Sequence, residues 1–116
     1  MAKGMSSDAG PTYNLDLVKR LVQADGCDIS YEAMDGIYAM GLTSEDVQAA
    51  IGALHPTQFY KTMPATKMPD AMQDVYFTNY QRRHIYLKLQ IVTLRRNGLE
   101  VVRVISFKRN ERYDSM

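Results

Sequence analysis

The chain has one cysteine, two histidines, no tryptophan and no apolar run approaching membrane-spanning length, and each shortage removes a class of explanation. Cys27 has no partner for an internal disulfide, so the fold owes nothing to an oxidising compartment, and a cytoplasmic location fits. His55, His84 and Cys27 are too few and too scattered for a zinc motif. A metal site would have to be assembled from dispersed carboxylates, so the reading is no metal and no cofactor. Without roughly 20 consecutive apolar residues no membrane span is expected. Met1 to Gly10, small and polar with no apolar h-region, does not resemble a secretory signal; it reads as part of a mobile leader over residues 1–12.

What is present is enough for one core. A chain of 116 residues is near the usual size of a single domain, placed here at residues 13–109 with a flexible tail at 110–116. The net charge of +1 conceals an uneven distribution: residues 1–79 hold 5 Lys and Arg against 10 Asp and Glu, and residues 80–116 hold 9 against 3. Charges of −5 and +6 on the two parts point to an anionic partner for the C-terminal part and a different partner for the remainder.

Helical spacing dominates the first half. Leu15, Val18, Leu21 and Val22 recur on one face behind a possible N-cap at Asn14, with Gly26 as the stop. Ala33, Met34, Ile37 and Tyr38 form a second stripe between Ser30 and Met40, closed by Gly41. Thr43 with Asp46 makes an acidic form of the capping box and opens a third helix that buries Val47, Ala50, Ile51 and Leu54. Pro56 breaks the pattern, and His55 beside it reads as structural. Strands follow at Gln58–Met63 and Met72–Thr78, separated by a loop constrained by Pro64 and Pro69. Helices first and strands afterwards predict an α+β fold, with the N-terminal helices packed on one face of a twisted antiparallel sheet.

The most informative segment is Gln81 to Lys108, read as a β-hairpin turning at Asn97-Gly98 through a two-residue type I′ loop. That register sets Arg95 opposite Glu100, Leu94 opposite Val101 and Ile91 opposite Val104. Alternation then gives a core face of Leu87, Leu89, Ile91, Val102 and Val104. The other face carries Tyr86, Lys88, Gln90, Arg103, Ile105, Phe107 and Arg109. A cationic and aromatic surface suits single-stranded RNA, whose phosphates pair with Lys and Arg while unstacked bases rest on rings. The plainer alternative is a solvated face whose charges guard a sheet edge against aggregation.

Four short segments, Phe59-Tyr60-Lys61-Thr62-Met63, Gln73-Asp74-Val75-Tyr76, Ile85-Tyr86-Leu87-Lys88 and Ile105-Ser106-Phe107-Lys108, stand in an order and spacing that resemble the MqsR family of toxins. Leu17-Val18-Lys19-Arg20-Leu21-Val22 belongs to the same resemblance, which spans about Tyr13 to Lys108. It implies a RelE/YoeB-like fold and a ribosome-independent mRNA-cleaving endoribonuclease, an mRNA interferase of a type II toxin–antitoxin system, that cuts at short GC-containing, GCU-like sequences and arrests growth. It also implies a cognate MqsA-like antitoxin with zinc-binding and helix-turn-helix domains. By motif position, the catalytic roles fall on Lys61, Gln73 and Tyr86.

The residue chemistry is compatible with that implication. RNA carries its own nucleophile, the 2′-OH, so a metal-free ribonuclease need only assist its deprotonation, stabilise the crowded phosphate and protonate the leaving 5′ oxygen. Lys61 is a candidate stabiliser or base, Tyr86 a candidate for proton transfer or base stacking, and Gln73 for orienting the nucleotide. Taken singly, a strand Lys is usually solvated, a strand Tyr usually half-buried packing, and a Gln unremarked. His84, two residues before Tyr86, shares its strand face and carries an imidazole, the side chain most often used for acid–base work, or is simply a solvated strand-end histidine. Lys88, Arg103, Phe107, Lys108 and Arg109 are the candidate RNA contacts. The competing function is a non-catalytic module that binds single-stranded RNA without cutting it.

Overall fold

The computed structural model describes residues 10–68 and 70–111. Three helices, α1 (Leu15–Gln23), α2 (Tyr31–Ala39) and α3 (Ser44–Gly52), combine with strands β1 (Cys27–Ile29), β2 (Phe59–Pro64), β3 (Met72–Tyr80), β4 (Arg83–Thr93) and β5 (Glu100–Arg109). The five strands form one sheet in the order β1-β5-β4-β3-β2. The expected α+β arrangement is present. The sheet is mixed rather than wholly antiparallel, because Cys27, Asp28 and Ile29 pair in parallel with Val102, Arg103 and Val104. A three-residue strand between two helices is too short to show the alternation by which strands are recognised.

Each helix starts where its capping side chain dictates. Asn14 Oδ1 accepts from the Leu17 N–H, Ser30 Oγ from Ala33, and Thr43 and Asp46 exchange bonds as a full capping box, each satisfying donors that a helix start leaves orphaned. α1 ends differently from expectation: Asp25, not Gly26, takes the left-handed conformation (φ 66°). Gly41, at φ 71°, closes α2 as the sequence indicates. Asp46 does a second job by accepting from the Tyr80 hydroxyl at 2.6 Å, which fastens α3 to β3. That bond, followed by the Thr43 N–H, holds the Asp46 carboxyl below its ordinary range.

All three helices feed one core on one sheet face. Val18 and Val22 from α1, Ala33 and Ile37 from α2, and Val47, Ala50 and Ile51 from α3 pack with Tyr76, Ile85, Leu87, Leu89, Val102, Val104 and Phe107. Burying each large apolar side chain contributes about 1.5–3 kcal/mol. Gly36 permits a close approach of α2 to β5, since a Cβ there would lie 2.1 Å from the Phe107 carbonyl oxygen. Tyr38, expected in the α2 stripe, is instead 66% exposed; it sits one position past Ile37 and so turns off the buried face.

The N-terminal approach to α1 is tied down by a buried carboxylate. Asp74 accepts from the backbone N–H groups of Thr12 (3.0 Å) and Tyr13 (2.9 Å), and Tyr13 donates its hydroxyl to the Met72 carbonyl. At the other end the Asn110 N–H bonds to the His84 carbonyl. Folded contacts thus reach Thr12 and Asn110, while most of the expected leader and tail, residues 1–9 and 112–116, lies outside the described residues.

The hairpin exists but its register and turn differ from expectation. Ile91 pairs with Val102, Val92 with Val101 and Thr93 with Glu100, so Arg95 and Glu100 are not partners. The loop runs Arg95-Arg96-Asn97-Gly98, closed by Gly98 N–H to Leu94 O and Leu94 N–H to Leu99 O. Only Gly98 of the Asn-Gly pair has a positive φ, and the Asn97 side chain instead accepts from the Leu99 N–H. The displacement is two residues, which preserves the face of every side chain near the loop.

Closer to the strand ends parity does change. Leu89 pairs with Val104 but Lys88 with Ser106, leaving Ile105 as a β-bulge. Its carbonyl is taken up by the Ser30 hydroxyl at 2.9 Å. Beyond the bulge the faces exchange, so Phe107, expected on the RNA-facing side, is wholly buried beneath the helices.

The two-residue turn with both central φ angles positive lies elsewhere, at Gln81 (48°) and Arg82 (67°), between the paired Tyr80 and Arg83. This is the backbone that Asn-Gly favours and side chains with a Cβ resist. Replacing Gln81-Arg82 by Asn-Gly is expected to stabilise the protein by about 1 kcal/mol, read as a higher midpoint in urea at unchanged slope. A lower midpoint would mean the Gln81 and Arg82 side chains outweigh the backbone strain.

Alkaline stability provides a second test. Burial, and then the Asp74 charge, push the Tyr76 hydroxyl from 10.0 to about 12. Unfolded Tyr76 loses its proton near 10 while the folded residue keeps it, so this contribution is intact below pH 10 and is lost as pH rises towards 12. Tyr76→Phe should therefore flatten the fall in melting temperature between pH 10 and 12. Parallel curves for the two proteins would exclude this cause.

Candidate functional site

The sheet face opposite the helices owes its composition to two bulges. In β2, Phe59 pairs with Tyr76 while Lys61 pairs with Val75, which leaves Tyr60 as the extra residue. Phe59 therefore joins the core side, and Lys61, two positions on, emerges on the open side. Unbroken alternation along β2 would put Phe59, Lys61 and Met63 on one face, and the bulge breaks it at Phe59. In β5 the Ile105 bulge turns Lys108 to the open side, opposite Tyr86.

Together these shifts assemble a row of rings across three strands. Tyr60 stacks on Phe77, with centroids 4.2 Å apart and planes inclined by 19°, and Phe77 stands 6.0 Å from Tyr86. A lysine lies at each end: Lys61 Nζ is 5.5 Å from the centre of the Tyr60 ring, and Lys108 Nζ is 5.3 Å from that of Tyr86. Both distances are in the range of a cation–π contact. A cavity of about 400 Å³ opens over this row, with Arg109 at its rim. Burial, followed by the charges of Tyr60 and Glu32, raises the Tyr86 pKa, so its phenol remains a hydrogen-bond donor throughout the physiological range.

The structure thus brings Lys61 and Tyr86 into one cavity, together with Lys108. Gln73 shares the open face but stands in a neighbouring hollow. It is only 8% exposed, and its Nε2 donates to Gln90 Oε1 at 3.2 Å. His84 is exposed on the same face, beside Asn79 and Phe77 in a smaller depression of about 160 Å³. Of the candidate RNA contacts, Lys88 is half-buried on the open face. Arg103 is there too, bonded to Asp28 at 2.7 Å; an exposed pair of this kind contributes at most about 1 kcal/mol and can yield to a phosphate. Arg109, expected on the RNA-facing side, pairs with the buried Ile85 and so stands on the helix side of the sheet, beside α2, while also bordering the ring cavity at the sheet's end. Phe107, being buried, leaves the set.

Tyr60 and Phe77 are site residues that the sequence reading did not single out. The signal for them was the cross-strand register, which depended on a bulge invisible in the alternation. Among the described residues, no three His, Cys, Asp or Glu side chains gather in a group able to hold a metal ion. No helix among them is long and apolar enough to cross a membrane.

A three-helix layer on one face of a five-stranded mixed sheet, with the other face open, is the architecture of a RelE-like α+β toxin. Residues 10–109 match the family described as motility quorum-sensing regulator, toxin of MqsA, and the chain belongs to that family of toxin–antitoxin toxins. A comparison with curated proteins finds no match.

Proposed function

We propose that the chain is an endoribonuclease that cleaves single-stranded mRNA without a ribosome or a metal ion, at short GC-containing, GCU-like sequences, and is held in check in the cytoplasm by an MqsA-like antitoxin with zinc-binding and helix-turn-helix domains. The observation that carries this reading is the row of three rings bracketed by Lys61 and Lys108 within one cavity. Rings accept unstacked bases irrespective of hydrogen-bond pattern, and the flanking cations accept phosphates. The acidic part of the chain, residues 1–79, offers the antitoxin a surface of different charge.

In the proposed reaction the substrate's 2′-oxygen bonds to phosphorus and passes its proton to solvent water, the bond from phosphorus to the 5′ oxygen breaks, and the 5′ oxygen takes a proton from an acid that solvent then reprotonates. Lys61 and Lys108 stabilise the negative charge that gathers on the phosphate. Tyr86, kept protonated by its surroundings, donates to the departing 5′ oxygen. Gln73 is held by Gln90 and orients the nucleotide beside the scissile bond.

Lys61→Ala, Gln73→Ala and Tyr86→Ala should each relieve growth arrest on expression while leaving thermal unfolding unchanged. Tyr86→Phe keeps the ring and removes only the donor, so it should lower the cleavage rate by about 10²–10⁴-fold. Full activity in that variant would reduce Tyr86 to a stacking surface.

Cleavage should persist in EDTA and leave a 2′,3′-cyclic phosphate and a 5′-OH. A single 2′-deoxy nucleotide on the 5′ side of the scissile bond should stop cutting there. Efficient cutting of that substrate would mean that water attacks instead, and binding of RNA with no cutting at all would make the chain a non-catalytic RNA-binding module.

A further inference from the structure

Beside the ring row lies a second hollow of about 340 Å³, walled by Glu32, Gln73, Lys88, Gln90, Arg103 and Ile105 among others. Apart from Gln73, the proposed reaction makes no use of its polar groups. Glu32 comes from the first turn of α2, and its Oε2 accepts from the Ser106 hydroxyl at 2.8 Å. Ser106 is the cross-strand partner of Lys88, so an anion and a cation border the same residue. Gln73 and Gln90 spend one donor and one acceptor on each other; the pair retains at least one of each whichever way the two amides are turned.

We propose that this hollow is a nucleobase-reading subsite selective for guanine, with Glu32 and Lys88 as its specificity-determining residues. The inference rests on the reading that RNA lies across this face. Guanine alone among the four RNA bases presents two adjacent N–H donors, N1 and N2, on one edge and two acceptors, O6 and N7, on the other. A carboxylate matches the first edge and a lysine ammonium the second. Adenine and cytosine place an acceptor beside their single amino donor, and uracil flanks its one N–H with two carbonyls, so each would set a lone pair against the Glu32 carboxylate. Ile105 supplies an apolar wall for the ring.

The position also fits. Lys88 follows Tyr86 by two residues on the same strand face, about 6.6 Å along β4, comparable with one nucleotide step. Glu32 is near enough to Tyr86 for its charge to act on that phenol. The guanine read here would therefore neighbour the scissile phosphate.

The test uses the full-length protein and uridine heptamers that are 2′-O-methylated throughout, so that attack by the 2′-OH cannot occur. One central position carries guanine, hypoxanthine (which lacks the N2 amino group) or adenine, and binding is followed by fluorescence anisotropy. The guanine oligomer should bind about tenfold more tightly than either of the others. Glu32→Gln, which can still accept from Ser106, should abolish the preference while its melting curve matches the parent's. Equal binding of all three oligomers by the parent protein, or an undiminished preference in Glu32→Gln, would overturn the proposal. The readout needs no catalysis: discrimination without cleavage of ordinary RNA would remove the nuclease and keep the subsite, and cleavage without discrimination would do the reverse.

Discussion

The burial of one face of β4 constrains everything else in this fold. Ile85, Leu87 and Leu89 are fully enclosed, and because neighbouring residues on a strand point to opposite faces, that enclosure forces Tyr86, Lys88 and Gln90 outward. Slipping β4 by one position would bring Lys88 beneath the helices and leave its charge without solvent. The open face is consequently held in place by the core behind it, and its polar residues need no partners of their own to keep their direction.

Neighbouring strands are then fitted to β4 by bulges. Phe59 belongs to the core with Tyr76, and without the extra residue at Tyr60 that preference would draw Lys61 to the same side. Phe107 likewise belongs to the core against Gly36, and the Ile105 bulge lets it bury while Lys108 follows on the open face. In both strands one inserted residue satisfies a core aromatic and delivers a lysine to the site. Bulges near functional sites commonly re-aim side chains in this way.

Helix α2 joins the two faces. Its N-cap Ser30 bonds to the backbone of β5 at Val104 and at the Ile105 bulge, Gly36 lies against Phe107, and Glu32 reaches Ser106 on the open side. An acidic residue in a first helical turn is favoured by the helix dipole in any protein. Here the same placement puts a carboxylate beside a cationic surface, where it bears on Tyr86 and on whichever base would occupy the neighbouring hollow.

Much of this was legible from local chemistry. Asn14, Ser30 and the Thr43–Asp46 box mark helix starts because capping depends on residues three positions apart. The apolar set of β4 marks a core strand because alternation is a local property, and the four family motifs lie on strands that all contribute to the open face. Tertiary structure alone decided the rest. The length of the Arg95–Gly98 loop, the parallel pairing of β1, the left-handed turn at Gln81-Arg82 and above all the two bulges arise from packing between segments distant in the chain, and no periodicity within one segment records them. For that reason the family motifs could put forward Lys61 and Tyr86 as candidates, whereas the exclusion of Phe107 and the row formed by Tyr60, Phe77 and Tyr86 required the register that only the assembled sheet supplies.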